Sequence, residues 1–168
     1  IDPFVLLDEV FVEPPASFPM HSHSGFEAIT FMVEGAFEHE DSSGSSGRIE
    51  SDEVQQMVTG KGIRHSEMPG TDGINHGLQL WIKLPESQMD QEPSYAKARA
   101  SDIDVEREGG TEIRTLIGRD STIQTHTPVE YLYGSMDEGE RIDRRIPEGY
   151  NWAVYVLSGK AKLYGDES

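Results

Sequence analysis

Alternation of apolar and polar side chains dominates the first half of the chain and predicts strands. Residues 1–12 set Phe4, Leu6, Leu7, Val10 and Phe11 among acidic neighbours, and Pro14-Pro15 then stops the run. Glu27, Ile29, Phe31 and Val33 fall on one face of an extended segment, because successive strand side chains point to opposite sides. Gly35 marks a turn, residues 36–41 read as a return strand, and residues 42–47, all serine and glycine, read as a flexible hairpin tip. Residues 48–50 and 54–58 are short strands parted by the polar turn Ser51-Asp52-Glu53. Residues 76–84 form a buried strand closed by Pro85. The alternation fades over residues 86–110, a polar stretch with a weakly helical segment at 95–100. Strands resume at 112–117, 129–136 and 152–157. With no long amphipathic helix in view, the chain is predicted to be all-β, built from short strands and glycine turns.

The pattern repeats. At one common offset Gly149 falls on Gly25, Tyr150 on Phe26, Tyr155 on Phe31, Leu157 on Val33 and Gly159 on Gly35. Two barrels of similar design are therefore expected. Their boundaries are residues 1–88 for the first, 89–110 for a linker and 111–168 for a second, incomplete unit. In that second copy Arg145, Pro147 and Asn151 stand where the first has His21, His23 and Glu27, so only the first is expected to hold a metal. The second copy ends before any counterpart of the His65 segment, and the chain is expected to continue in a longer protein.

Composition narrows the chemistry. The 168 residues contain no cysteine, which leaves nitrogen and oxygen as the available metal ligands. Against 31 acidic residues stand 14 basic ones, a formal charge of -17, so the surface should repel a nucleic-acid backbone. Acidity spread along the chain suits a solvated surface in a high-salt, halophilic cytosol. No apolar run is long enough to span a bilayer and the first residues are not a signal sequence, so a cytoplasmic location is expected.

Two dipeptide spacings carry the candidate site. His21 and His23 share one strand face, as do His65 and Glu67. Brought together on neighbouring strands, the four would converge as three imidazoles and a carboxylate around a metal with open coordination positions. Such a set suits Fe(II), Mn(II), Ni(II) or Zn(II), and the open positions favour iron. Glu27 shares the inward parity and is expected either as a ligand or, in preference, as the group that orients a ligand histidine or a bound water. His39, among Glu38, Glu40 and Asp41, is expected to be solvated on a surface strand. His76 is placed at a pocket wall or a turn, and His126 in a loop. Phe18, Phe26, Phe31 and Trp81 are expected in the core, and Met20 beside the pocket.

The first histidine segment matches the cupin pattern His-x-His-x3-4-Glu in part, and Gly60-x-Gly62-x2-His65 matches the second cupin motif. Asp2-Pro3-Phe4, Leu7-Asp8-Glu9, His21-x-His23-x-Gly25-Phe26-Glu27, His39-Glu40-Asp41, Gly60-x-Gly62-Ile63-x-His65-x-Glu67-Met68-Pro69 and His76 through Trp81 together closely resemble the pirin family. The resemblance implies a jelly-roll-like bicupin whose N-terminal barrel binds iron through His21, His23, His65 and Glu67. It also implies one of two functions. The first is a quercetin 2,3-dioxygenase, in which Glu27 or Glu67 takes the proton of a flavonol hydroxyl. The second is a metal- or redox-sensing protein that acts on a transcription factor or another protein partner. A third reading, from the residues alone, is a metal that only staples the barrel.

Overall fold

The computed structural model describes residues 1–164, and the last four residues of the expected second unit lie outside the described residues. Twelve strands and two single-turn helices, residues 86–88 and 100–102, make up the regular structure among those residues. The first eight strands are β1 Phe4–Val12, β2 Phe18–His23, β3 Phe26–Glu34, β4 Ala36–Asp41, β5 Ser46–Glu50, β6 Val54–Val58, β7 Ile63–Pro69 and β8 Asn75–Lys83, and β1, β3, β4, β6 and β8 follow the sequence pattern closely. None of the helices is long and apolar enough to cross a membrane.

Two antiparallel sheets face one another. The larger has the order β1-β8-β3-β6-β9 and the smaller β2-β7-β4-β5. Between them lie two apolar clusters: Val12, Met32, Phe37 and Ile49 in one, Ala28, Met57 and Ile63 in the other. The largest core lies elsewhere. Ile29, Phe31, Val54, Leu78, Leu80 and Ile82, on the outer face of the large sheet, pack against Ile103, Leu116, Ile117 and Ile123. That face would otherwise be exposed, and burying it is what docks the second half of the chain onto the barrel.

Three expectations are corrected by this arrangement. Residues 94–98 form not a helical turn within a linker but β9, Ser94–Ala98, which pairs antiparallel with β6 and completes the large sheet. Residues 152–157 alternate as a strand would, yet no ladder partner meets them among the described residues, and Trp152, Val154, Tyr155 and Val156 are exposed. Beyond the large sheet, β10 Asp104–Glu108, within the expected linker, joins β11 Thr111–Ile117 and β12 Tyr131–Met136 in a separate three-stranded sheet. Gly25 and Gly149 have φ of 82° and 81°, and Gly35 and Gly159 have 78° and 79°, a left-handed geometry that suits glycine.

The third correction concerns Glu27. The left-handed Gly25 ends β2 in one sheet and starts β3 in the other, so strand parity does not carry through from His23. Glu27 therefore faces the outer core and not the histidines. Fully buried, it accepts hydrogen bonds from Gln56 Nε2 at 2.5 Å and from the His126 backbone N–H at 2.7 Å, with His126 Nδ1 at 3.2 Å. This carboxylate ties the loop at 126 to the barrel. Glu27→Ala should lower unfolding free energy by about 1–3 kcal/mol, because it strands buried donors, while metal affinity stays unchanged. Denaturant titration beside metal titration of the same variant checks both parts.

Candidate metal centre

Register on the small sheet assembles the cluster. His65 and Glu67 lie on one face of β7; His21 stands directly opposite His65 on β2, and His39 directly opposite Glu67 on β4. His21, His23 and His65 have ring nitrogens within 4.8 Å of one another, close enough to share an ion. His39, His65 and Glu67 satisfy the same limit as a second group. His65 is common to both groups, whereas Glu67 is grouped with His39 and His65 and not with His21 and His23.

His39 is the residue the sequence reading misplaced. Its side chain is shut off from solvent, donates from Nε2 to Asp41 Oδ2 at 3.1 Å, and stacks on Tyr95 with ring centroids 4.7 Å apart. The acidic neighbours Glu38 and Glu40 point to solvent, as alternation requires, and that hides an inward histidine behind charged flanks.

Glu67 sits in the barrel between amides from the facing sheet. Gln55 Nε2 donates to one oxygen at 2.5 Å and Gln79 Nε2 to the other at 3.1 Å. Gln55 in turn accepts from Tyr95 Oη at 3.2 Å, and Gln79 accepts from Trp81 Nε1 at 2.9 Å. Burial nevertheless holds Glu67 above the ordinary carboxylate range, against the pull of His39, the two amides and His21. Neither glutamine nor Tyr95 was picked out in the sequence. Two adjacent amides in the apolar run Val54-Gln55-Gln56-Met57-Val58 were the available signal, since buried amides need partners.

The histidines are prepared for an ion. His21 Nδ1 donates to the Pro19 carbonyl at 2.8 Å, which leaves its Nε2 with a free lone pair. His65 Nε2 is buried and has no hydrogen-bond partner among the protein groups. A buried, orphaned imidazole nitrogen beside two more imidazoles and a destabilised carboxylate is the donor set a divalent cation completes. His21 and His23 are half-exposed, so the cluster is reached from their side.

Of the other expected residues, Phe31 is fully buried in the outer core. Phe18 packs edge-on against Phe37. Phe26 and Trp81 differ from expectation: half-buried, they stack on each other at 4.2 Å and meet His23 edge-on, forming an aromatic wall beside the cluster. Met20 is exposed. His76 bonds Glu9 at 2.9 Å and stacks on Phe11, away from the cluster.

Facing antiparallel sheets that enclose a histidine and carboxylate cluster make this a cupin barrel. Comparison with known proteins agrees and goes further. Residues 1–82 match the family model described as Pirin. A pirin-like protein of Arabidopsis thaliana is 44% identical over 98% of this chain and 56% of its own length. The chain belongs to the pirin family. It spans 50–59% of the length of the first three curated relatives it matches. Among solved structures, a quercetin 2,3-dioxygenase from Acinetobacter baumannii superposes with TM-score 0.72 at 29% identity, over 79% of this chain and 52% of that one. The bacterial pirin YhhW from Escherichia coli, in complex with nickel(II), gives 0.63 at 27% identity, over 77% and 54%.

Burial, then the neighbouring His21, His39 and His23, push the His65 pKa from the usual 6.5 down to about 3. The folded protein thus keeps His65 neutral where the unfolded chain protonates it. The stability this withholds is lost progressively as pH falls from 6.5 toward 3. Thermal midpoints of the metal-free protein across that window should fall more steeply than those of His65→Phe, and parallel curves would refute the assignment.

Proposed function

We propose that this chain carries the catalytic barrel of a metal-dependent dioxygenase acting on quercetin-type flavonols. Its ion is Fe(II), held by His21, His23, His65 and Glu67. The observation that carries this reading is the orphaned Nε2 of His65, buried within reach of two imidazoles and next to Glu67. The likeness to a quercetin 2,3-dioxygenase supports the substrate class, and the nickel complex of a bacterial pirin supports a metal at this fold's centre.

Each group has a task in that reaction. An ion held by these residues would supply Lewis acidity and redox chemistry toward the flavonol and dioxygen. The stacked pair Phe26 and Trp81 offers a flat apolar wall against which an aromatic ring system can lie next to His23. Glu67 is the carboxylate of the cluster, and we assign it the task of taking the flavonol hydroxyl proton. Gln55 and Gln79 fix both its oxygens, so the carboxylate meets the substrate in one orientation. Glu27, on the far face, has no part in the chemistry.

Oxygen uptake with quercetin should require Fe(II) and fall at least about 100-fold in His21→Ala, which removes a ligand. An oxygen electrode, read beside metal content by mass spectrometry, makes the test. Iron-replete wild-type protein that consumes no oxygen with any flavonol would overturn the reading.

A further inference from the structure

We propose that Asp41 and His39 form a relay that fixes the ring tautomer of His65 so that its Nε2 lone pair is presented to the ion. The proposal rests on the reading that the ion sits on His21, His23, His65 and Glu67, and it adds two positioning residues outside that set.

The relay starts at Asp41, the last residue of β4. Asp41 Oδ1 is saturated by the Ser43 backbone N–H at 2.8 Å, the Ser43 hydroxyl at 2.6 Å and the Ser45 N–H at 3.1 Å. That leaves Oδ2 for His39 Nε2, and a carboxylate can only accept, so this nitrogen carries the proton. A neutral His39 then has a lone pair on Nδ1, which faces His65 Nδ1 at 3.4 Å. Two bare lone pairs would repel. The contact is attractive when His65 Nδ1 holds the proton, and the bare nitrogen of His65 is then Nε2, the one left without a partner. His21 reaches the same state through the Pro19 carbonyl. Tyr95 holds the relay in place by stacking on His39 from β9, and its hydroxyl bonds Gln55, which grips Glu67. The space for that ring depends on Gly47, where a Cβ would stand 2.5 Å from Tyr95 Oη.

His39 could instead be a ligand itself, since it also groups with His65 and Glu67. Both its nitrogens are already engaged, however, and ligation would break one of those bonds.

Asp41→Asn separates these ideas without changing shape. The Ser43 and Ser45 donors hold the amide oxygen at the Oδ1 position, so the NH₂ group faces His39 Nε2 and turns it from donor to acceptor. The proton moves to His39 Nδ1, His65 Nδ1 must accept, and His65 Nε2 becomes N–H. Ring ¹⁵N NMR of the metal-free proteins should show His65 protonated on Nδ1 in the wild type and on Nε2 in Asp41→Asn. Nickel(II) affinity by calorimetry should fall about 10- to 100-fold with one ion still bound per chain. His39→Phe, which keeps the stack on Tyr95, should weaken nickel similarly and leave the imidazole count by X-ray absorption unchanged. An unaltered His65 tautomer in Asp41→Asn, or an imidazole missing from the nickel shell in His39→Phe, would overturn the relay. Wild-type protein that binds no nickel would defeat the ligand assignment instead, while the NMR on metal-free protein would still decide the relay.

Discussion

A carboxylate enclosed within a β-barrel is the constraint around which this structure is arranged. Glu67 is almost wholly buried, and a buried charge without partners is too costly to keep. The facing sheet answers with Gln55 and Gln79, each held by an aromatic donor, Tyr95 and Trp81. Across the small sheet the answer is imidazole, from His39 and His65. The polar interior is thus one connected network that draws on β4, β6, β7, β8 and β9. Networks of this kind hold their members rigidly, which a metal site needs.

Strand alternation keeps chemistry and stability apart. Gln55 and Gln56 are adjacent, yet one points into the barrel to Glu67 and the other outward to Glu27. The two buried glutamates therefore belong to different faces and different tasks. Glu67 belongs to the histidine cluster, whereas Glu27 anchors the chain around His126 over the outer core. Losing the second should loosen the docking of the later strands and leave the metal centre assembled.

Much of this was legible in the sequence because period-2 alternation is a local property. β3, β6 and β8 appear within a residue or two of where the pattern puts them, and the faces of His21, His23, His65 and Glu67 follow from spacing alone. Parity failed at Gly25, where one left-handed residue hands the chain from one sheet to the other and turns Glu27 outward. The environment of His39 was hidden for a different reason. Its acidic neighbours suggest a wet strand, but burial depends on which sheet packs opposite, and no local pattern records that. Tyr95 and β9 were missed because pairing with β6, almost forty residues away, decides their conformation in place of their own weak propensity.

The protonation states of the cluster point in one direction. A metal requires its imidazoles neutral and its carboxylate charged. Burial and neighbouring rings already keep His65 neutral, so that part of the site is set before an ion arrives. Burial works the other way on Glu67, which is held above its usual range and is the member that gains most from a positive charge beside it. The fold therefore leaves one deficit, a missing cation next to Glu67, and surrounds it with nitrogen lone pairs that have no other protein group to bind. A barrel that needed the cluster only for packing would gain nothing from keeping His65 Nε2 unpaired, since an unpaired buried nitrogen costs stability. An ion bound there would recover that cost.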